Sequence, residues 1–449
     1  MDALSRRTLL AAGAATAATL AAGCATTTGK GGEQAGPPAP ASGMAATSPS
    51  ATPKPPATLI GDGSTSDTGP QPNQPKPDQL GLGERPPQFV VFSWDGAGEL
   101  DNKLFSRFRQ LAKDHKASMT FFLSGIYTLP ESKKTLYRPP QHPVGASDIG
   151  YLSDDHVRDT IQQVGDAWLE GHEIGTHFNG HFCGPNGGGK WSPEDWDSEI
   201  EQAMNFVMNW RTNTGHTDLP ALPFDYRKEL IGGRTPCLEG QRGLLPTAAK
   251  RGWKYDSSGP GGLQVWPQKF AGGALWDMPL QSVPFPGHSF QVLSMDYNIM
   301  YNQSGNNTKG DPSKYGFWQN QARDAYLAGF ERAYNSNRAP MIIGNHFEQW
   351  NGGIYMNAVE EVIKTIADKP EVRLVSFRQL VQWLEAQDPA VLKKLTSLLP
   401  GESPAGGWGT FLGGPVAAPA GGAPAPAGAS AGTPSGAASA RASAAHVSA

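Results

Sequence analysis

Aromatic side chains are absent from residues 25–86, a stretch made mostly of Pro, Gly, Ser, Thr and Ala. Without large apolar groups it cannot bury enough surface to offset its ordering entropy, so composition predicts a disordered tether. From about Pro400 onward the chain is again rich in Ala, Gly, Pro and Ser, and bulky residues are few, Trp408 and Phe411 among them. Residues 396–449 therefore read as a disordered tail. Blocks of basic residues are also lacking: 37 Lys and Arg stand against 41 Asp and Glu, a net charge of -4 spread along the chain. That balance argues against a nucleic-acid partner. Cysteine is scarce, at three residues. No apolar run is long enough to span a membrane comfortably.

What the N-terminus does contain is an export pattern. "SRRTLL" (Ser5 to Leu10) is followed by an uncharged apolar run to Ala22 and by "LAAGC", ending at Cys24. Paired arginines before a moderately apolar segment look like a twin-arginine signal, and small residues before Cys24 look like a lipoprotein cleavage site. Residues 1–24 are thus expected to be a signal. Lipid on Cys24 would hold the protein at the membrane, facing the periplasm or cell wall, with 25–86 as its tether. Cys183 and Cys237 remain. An even remainder in an oxidising compartment favours one disulfide, with two separate buried thiols as the alternative.

Residues 87–395 carry the foldable composition. Strand-like "QFVVFSW" (88–94) precedes a helical stretch with Leu100, Leu104, Phe105, Phe108 and Leu111 on one face. Strand-like "ASMTFFL" (117–123) leads to a helix over about 154–170 using Val157, Ile161, Val164 and Trp168. A helix begins at Ser192, where a Ser N-cap, Pro193 and Glu194-Asp195 in the first turn are start signals. Later come strand-like "WKYDSS" and "LWDMPL", a helix near 316–336, and strand "PMIIGN" (340–345). A helix from 355, strand "VRLVS" and a last helix opened by a Ser376–Gln379 capping box complete the series. Strands alternating with helices predict an α/β fold on a parallel sheet, open or closed into a barrel. Functional groups then gather at the carboxyl ends of the strands, where Asp95, His177, Asp256 and His346 fall.

"GHEIGTHFNGHFCG" (171–184) holds three histidines in ten residues. His177 and His181, four apart in a strand-to-loop segment, have the side chains to take neighbouring positions on a divalent metal; a His-rich surface loop is the plainer reading. Arg234 in "GGRTP" is suited to orient a carboxylate. His346 closes an apolar strand, a placement suited to acid–base work. Asp95 ends "FVVFSWD" and is followed by Gly96, which by itself is ordinary turn composition.

In this order along the chain, Asp at the first strand end, His-x-x-x-His, Arg-x-Pro, Asp-Ser-Ser and a late strand ending in His resemble the polysaccharide deacetylase (NodB-like) family of carbohydrate esterases. The resemblance spans roughly 88–390. The segments "RGWKYDSS", "FERAYNSNRAPMIIGNH" and "VRLVSFRQLVQWL" look most like the branch containing insect chitin deacetylases. The resemblance implies a distorted (β/α) barrel and a divalent metal, usually zinc. It also implies removal of acetyl groups from N-acetylglucosamine units, the glycan being chitin, peptidoglycan or exopolysaccharide; a monomer is expected. Carried over residue by residue, Asp95 is the general base and His346 the acid. His177 and His181 bind metal, Arg234 orients the base, and Asp256 tunes the acid–base pair. The family's first motif has two adjacent acids, and Gly96 stands where its metal-binding Asp belongs. In the alternative register Asp95 is the ligand and Trp94 takes the base position. Phe178 replaces a usual Ser or Thr. Glu99 is a candidate to supply the missing oxygen ligand. A Cys183–Cys237 bridge would tie the metal loop to the Arg234 loop.

Two further readings stand beside this one: an inactive relative that binds glycan, and a barrel amidohydrolase acting on a non-sugar amide. Trp191, Trp196, Trp266 and Trp276, near the motif loops, are candidates for sugar stacking or for core packing.

Overall fold

A computed structural model describes residues 57–413 apart from 260 and 271. The expected signal, Cys24, the first part of the tether and the end of the tail lie outside the described residues. Among the described residues no helix is long and apolar enough to cross a membrane.

In chain order the strands are β1 (Thr58–Ile60), β2 (Thr65–Asp67), β3 (Gln88–Asp95), β4 (Thr120–Leu123), β5 (Glu173–Thr176) and β6 (Tyr255–Asp256). They continue with β7 (Gln268–Lys269), β8 (Trp276–Asp277), β9 (Ser282–Pro284), β10 (Gln291–Leu293), β11 (Met341–His346) and β12 (Val372–Leu374). Every residue of β3 is buried, because its β-branched and aromatic run has no polar face to turn to water. It sits at the centre of a parallel sheet ordered β11-β3-β4-β5, and β12 pairs with its first residues. Beyond β5 a parallel bridge from Thr176 to Gly233 carries the curvature toward β6, and on the other side Met295 bridges Gly344 of β11. The fold is α/β, a parallel sheet curling into a distorted barrel.

Local sequence explains the helices. Leu104, Phe105, Phe108 and Leu111 are buried on one face of the helix Leu104–Asp114. Ser192 opens the helix Pro193–Met208 with a capping box to Asp195, and Ser376 opens Phe377–Ala386 with one to Gln379. The helix expected from 355 begins earlier, at Trp350, because Asn351, Gly352 and Gly353 form an irregular first turn at positive φ. Trp94 anchors β3 in an aromatic cluster, its ring centroid 4.8 Å from Phe108 and 5.5 Å from Phe347. Burying such a ring contributes about 1.5–3 kcal/mol, which fixes the strand that ends at Asp95. Trp191, Trp196, Trp266 and Trp276 are all core residues, so the sugar-stacking alternative fails for them.

Two expected boundaries need correction. The tether predicted to run to 86 is docked over its described part. β1 and β2 form a hairpin, Ser66 N donates to Leu222 O, and the Gln71 amide donates to the carbonyls of Trp168 and His172. Gln79 reaches Ala386 O, and Asp78 pairs with Arg373. This segment is held by main-chain and amide hydrogen bonds, which apolar composition does not register. The tail predicted from 396 likewise buries Leu398 and Leu412, the latter in the helix Gly407–Gly413.

Candidate active site

Asp95 and His346 end neighbouring strands and are register partners in the β3–β11 pairing. A parallel pairing places both side chains at the same rim of the sheet, so an acid and an imidazole lie together by topology alone. His177 directly follows β5 and is tied to the sheet by His177 N donating to Leu123 O. The loop after it carries Phe178 and His181 at φ 58° and 57°, left-handed values costly for residues with a Cβ. Asn179 steadies that loop by donating to Glu199 O, and Gly180 N donates to Tyr137 Oη, itself bonded to the Glu199 carboxylate. Cys183 and Cys237 form a disulfide across 54 residues, joining the histidine loop to the loop after Arg234.

Asp95 accepts from Arg234 Nη1 at 2.8 Å, and both side chains are buried. The same guanidinium donates to Ser93 Oγ, Ser257 O and Ser257 Oγ, so its donors are spread over three sides. Burial pushes the Asp95 carboxyl up, but the Arg234 guanidinium above all, with the His346 imidazolium, outweighs it and holds the group below its ordinary value. The acid is therefore a carboxylate at neutral pH, ready to accept a proton. Trp94 is packed into the aromatic core against Phe108 and Phe347 and offers no base of its own, so Asp95 is the one carboxylate that this strand end delivers.

His346 is the electrostatic opposite. Its Nδ1 donates to Asp296 Oδ1 at 2.8 Å, and its backbone N–H donates to Asp296 Oδ2 at 2.7 Å. Burial alone would pull the imidazole down, yet the Asp296 charge and hydrogen bond, with Asp95 behind them, raise it to about 9. Asp296 is fully buried and was not among the residues singled out from sequence. The signal for it is an acid three residues after the short strand β10. Asp256, expected to tune the acid–base pair, is engaged elsewhere: its carboxylate accepts from Gln241, Ser258 N and Ser258 Oγ. It builds the turn whose Ser257 and Ser258 receive Arg234 and Thr235 N, and Asp296 holds the place beside His346.

His177 Nδ1 lies 2.8 Å from Arg234 O, which fixes it as the N–H and leaves Nε2 as a lone pair. Nε2 is buried without a hydrogen-bond partner. Burial, in spite of the Asp95 charge, pulls this imidazole down to about 3, so it stays neutral. Burial also lowers His181, whose ring centroid is 5.1 Å from that of His177. An orphaned neutral nitrogen beside a second neutral imidazole is the chemistry of a cation site, and the two fit a divalent metal. The third ligand is missing. Gly96 lies at φ +65°, and a Cβ built there would meet nothing closer than Ser124 Oγ at 3.8 Å. Glu99 does not fill the gap, because both its oxygens are bonded to Ser106 at the start of a helix. Among the described residues the grouping of three metal-capable side chains is His181, Cys183 and Cys237, whose bridge removes both sulfurs as ligands. Phe178 turns into the core, 4.7 Å from Trp196, so its departure from Ser or Thr is a matter of packing.

Comparison with solved structures finds distant similarity to several proteins. A Mycobacterium smegmatis protein provisionally assigned as a polysaccharide deacetylase matches at TM-score 0.43 and 14% identity, covering 70% of this chain and 94% of that one. The Bacillus subtilis peptidoglycan deacetylase matches at TM-score 0.33 and 12% identity, with 67% and 92% covered. A mutant CE4 family pseudoenzyme with restored enzymatic activity matches at TM-score 0.35 and 10% identity, with 68% and 72% covered. No family model matches the chain, and no curated protein matches it.

Proposed function

We propose that this protein is a metal-assisted hydrolase that removes N-acetyl groups from N-acetylglucosamine-containing polysaccharide. The observation that carries the reading is the Asp95–His346 pair: a carboxylate held anionic by Arg234 and an imidazole held cationic by Asp296, at one rim of the barrel. Amide hydrolysis needs these two protonation states together. Asp95 takes a proton from water as the water oxygen bonds to the acetyl carbon. His346 gives its Nε2 proton to the amide nitrogen as the carbon–nitrogen bond breaks, leaving acetate and a free amine. Positioned acid–base groups of this kind contribute about 10²–10⁴ in rate. Arg234 keeps Asp95 from acting as an acid, and its carbonyl keeps the His177 lone pair turned to the site. His177 and His181 would hold the metal, zinc by the resemblance, which when bound supplies Lewis acidity toward the amide carbonyl. Export through a twin-arginine signal, a lipid anchor on Cys24 and a monomeric state belong to the same proposal.

A second reading is favoured by Gly96, which leaves the metal two protein ligands: an inactive relative that binds glycan. Acetate release from N-acetylglucosamine oligomers, measured with chelator and with added zinc, separates the two. Zinc-dependent release supports hydrolysis. No release, with no metal found by elemental analysis, supports the inactive relative.

A further inference from the structure

The opposite end of the barrel holds a second unsatisfied polar centre. Arg338 lies three residues before β11, and Glu371 immediately precedes β12 and accepts from Gln88 N at the start of β3 through its carbonyl. The centre is thus separated from Asp95 and His346 by the length of the strands, roughly 20 Å over β3. Arg338 is 2% exposed and sits at φ 55°, a left-handed strain at a buried cationic residue. Its guanidinium carbon stacks 4.0 Å from the Tyr334 ring centroid. Its Nη2 lies 3.2 Å from Glu371 Oε2, and Arg85 Nη2 lies 2.6 Å from the same oxygen. Two guanidiniums thus share one carboxylate oxygen, and Arg338 Nη1 is buried with no partner at all. A cavity of about 310 Å³ opens here, lined by Arg85, Tyr334, Ser336, Arg338, Ser403 and Trp408.

A buried charged donor without a partner costs about 1–3 kcal/mol or more, a cost that an anion bonded to it would offset. Two positive groups against one negative leave a single surplus charge, which a monoanion neutralises; a dianionic phosphate would add repulsion from Glu371. Guanidiniums match the planar, two-oxygen shape of a carboxylate. The cavity has room for a ring as well as the acid group, and Trp408 supplies an aromatic edge for it.

We propose that this cavity binds a carboxylate-bearing small molecule or sugar, at a site separate from the catalytic rim. A free organic acid and a uronic acid residue of a glycan share that chemistry. The test is calorimetric titration of the full chain, at fixed ionic strength, with sodium glucuronate, a glucuronate-containing oligosaccharide and inorganic phosphate. Saturable binding of the carboxylates is expected, weakened at least about tenfold by Arg85→Ala, which removes one exposed guanidinium and leaves acetate release unchanged. Arg338→Gln should abolish binding; if that variant does not fold, Arg85→Ala decides. Tighter binding of the oligosaccharide assigns the ligand to a glycan, and equal affinity assigns it to a free acid. The proposal is overturned by absence of saturable heat in a normally melting chain, by binding indifferent to Arg85→Ala, or by phosphate binding more tightly than glucuronate.

Discussion

Asp296→Asn removes the charge that keeps His346 protonated while preserving volume and one acceptor oxygen. The wild-type imidazole is raised from 6.5 to about 9 against the pull of burial, with Asp296 the leading counter-effect. At 1.36 kcal/mol per pKa unit that rise is about 3 kcal/mol of preference for the charged form. With the carboxylate gone, burial again dominates and the group should titrate near or below about 7. At pH 8 the protonated fraction then falls from about nine-tenths to about one-tenth, so kcat/KM for acetate release should drop about tenfold there and little at pH 6. The basic limb of the pH profile should move from about 9 in the wild type to about 7 or lower in the variant. Histidine NMR titration reads the same shift directly. Because the folded pKa lies above the unfolded one, the His346–Asp296 pairing stabilises fully below pH 6.5 and is lost as pH rises through about 9. The variant should accordingly lose most stability at pH 6 and least at pH 10. A basic limb that stays in place, or an equal loss of rate at every pH, refutes this assignment.

Three other perturbations follow from the same geometry. Arg234→Ala leaves Asp95 buried without its cation and should cost about 3–5 kcal/mol in chemical denaturation, with Arg234→Lys recovering only part because it cannot also reach both Ser257 acceptors. Reducing the Cys183–Cys237 bridge frees a loop of 54 residues and should cost about 4 kcal/mol of stability, seen as a lower midpoint in urea with reductant. Gly96→Asp fills the open space beside Ser124 at a φ that Asp tolerates, and should tighten zinc binding at least about tenfold by calorimetry; unchanged affinity would show that position 96 does not face the His177–His181 site.

Much of this site is legible in the sequence, for identifiable reasons. β3 and β11 are buried strands built on the apolar runs "FVVF" and "MII", as expected of parallel strands covered on both faces, and each ends in the residue it delivers. The capping residues Ser192 and Ser376 act locally, so they hold whatever the tertiary context. The placements that the chain does not announce share a different cause. Asp256 ends the short strand β6 and Asp296 comes three residues after the short strand β10, and nothing in the chain says toward which neighbour a carboxylate turns; Ser258 claims one and His346 the other. Glu99 is two residues beyond Ala97, near enough in sequence to suggest a ligand, but a helix start takes both its oxygens. Residues 58–86 dock through Gln71, Gln79 and backbone pairing, in a segment whose apolar content predicts no order.

The central claim is that Asp95 and His346 act as base and acid on an amide. Acetate release from N-acetylglucosamine oligomers, compared among the wild type, Asp95→Asn and His346→Gln at pH 7 with zinc supplied, tests it most directly. The account predicts release by the wild type and a loss of about a hundredfold or more in each variant, with wild-type zinc binding retained by His346→Gln. Release that survives either substitution would contradict it.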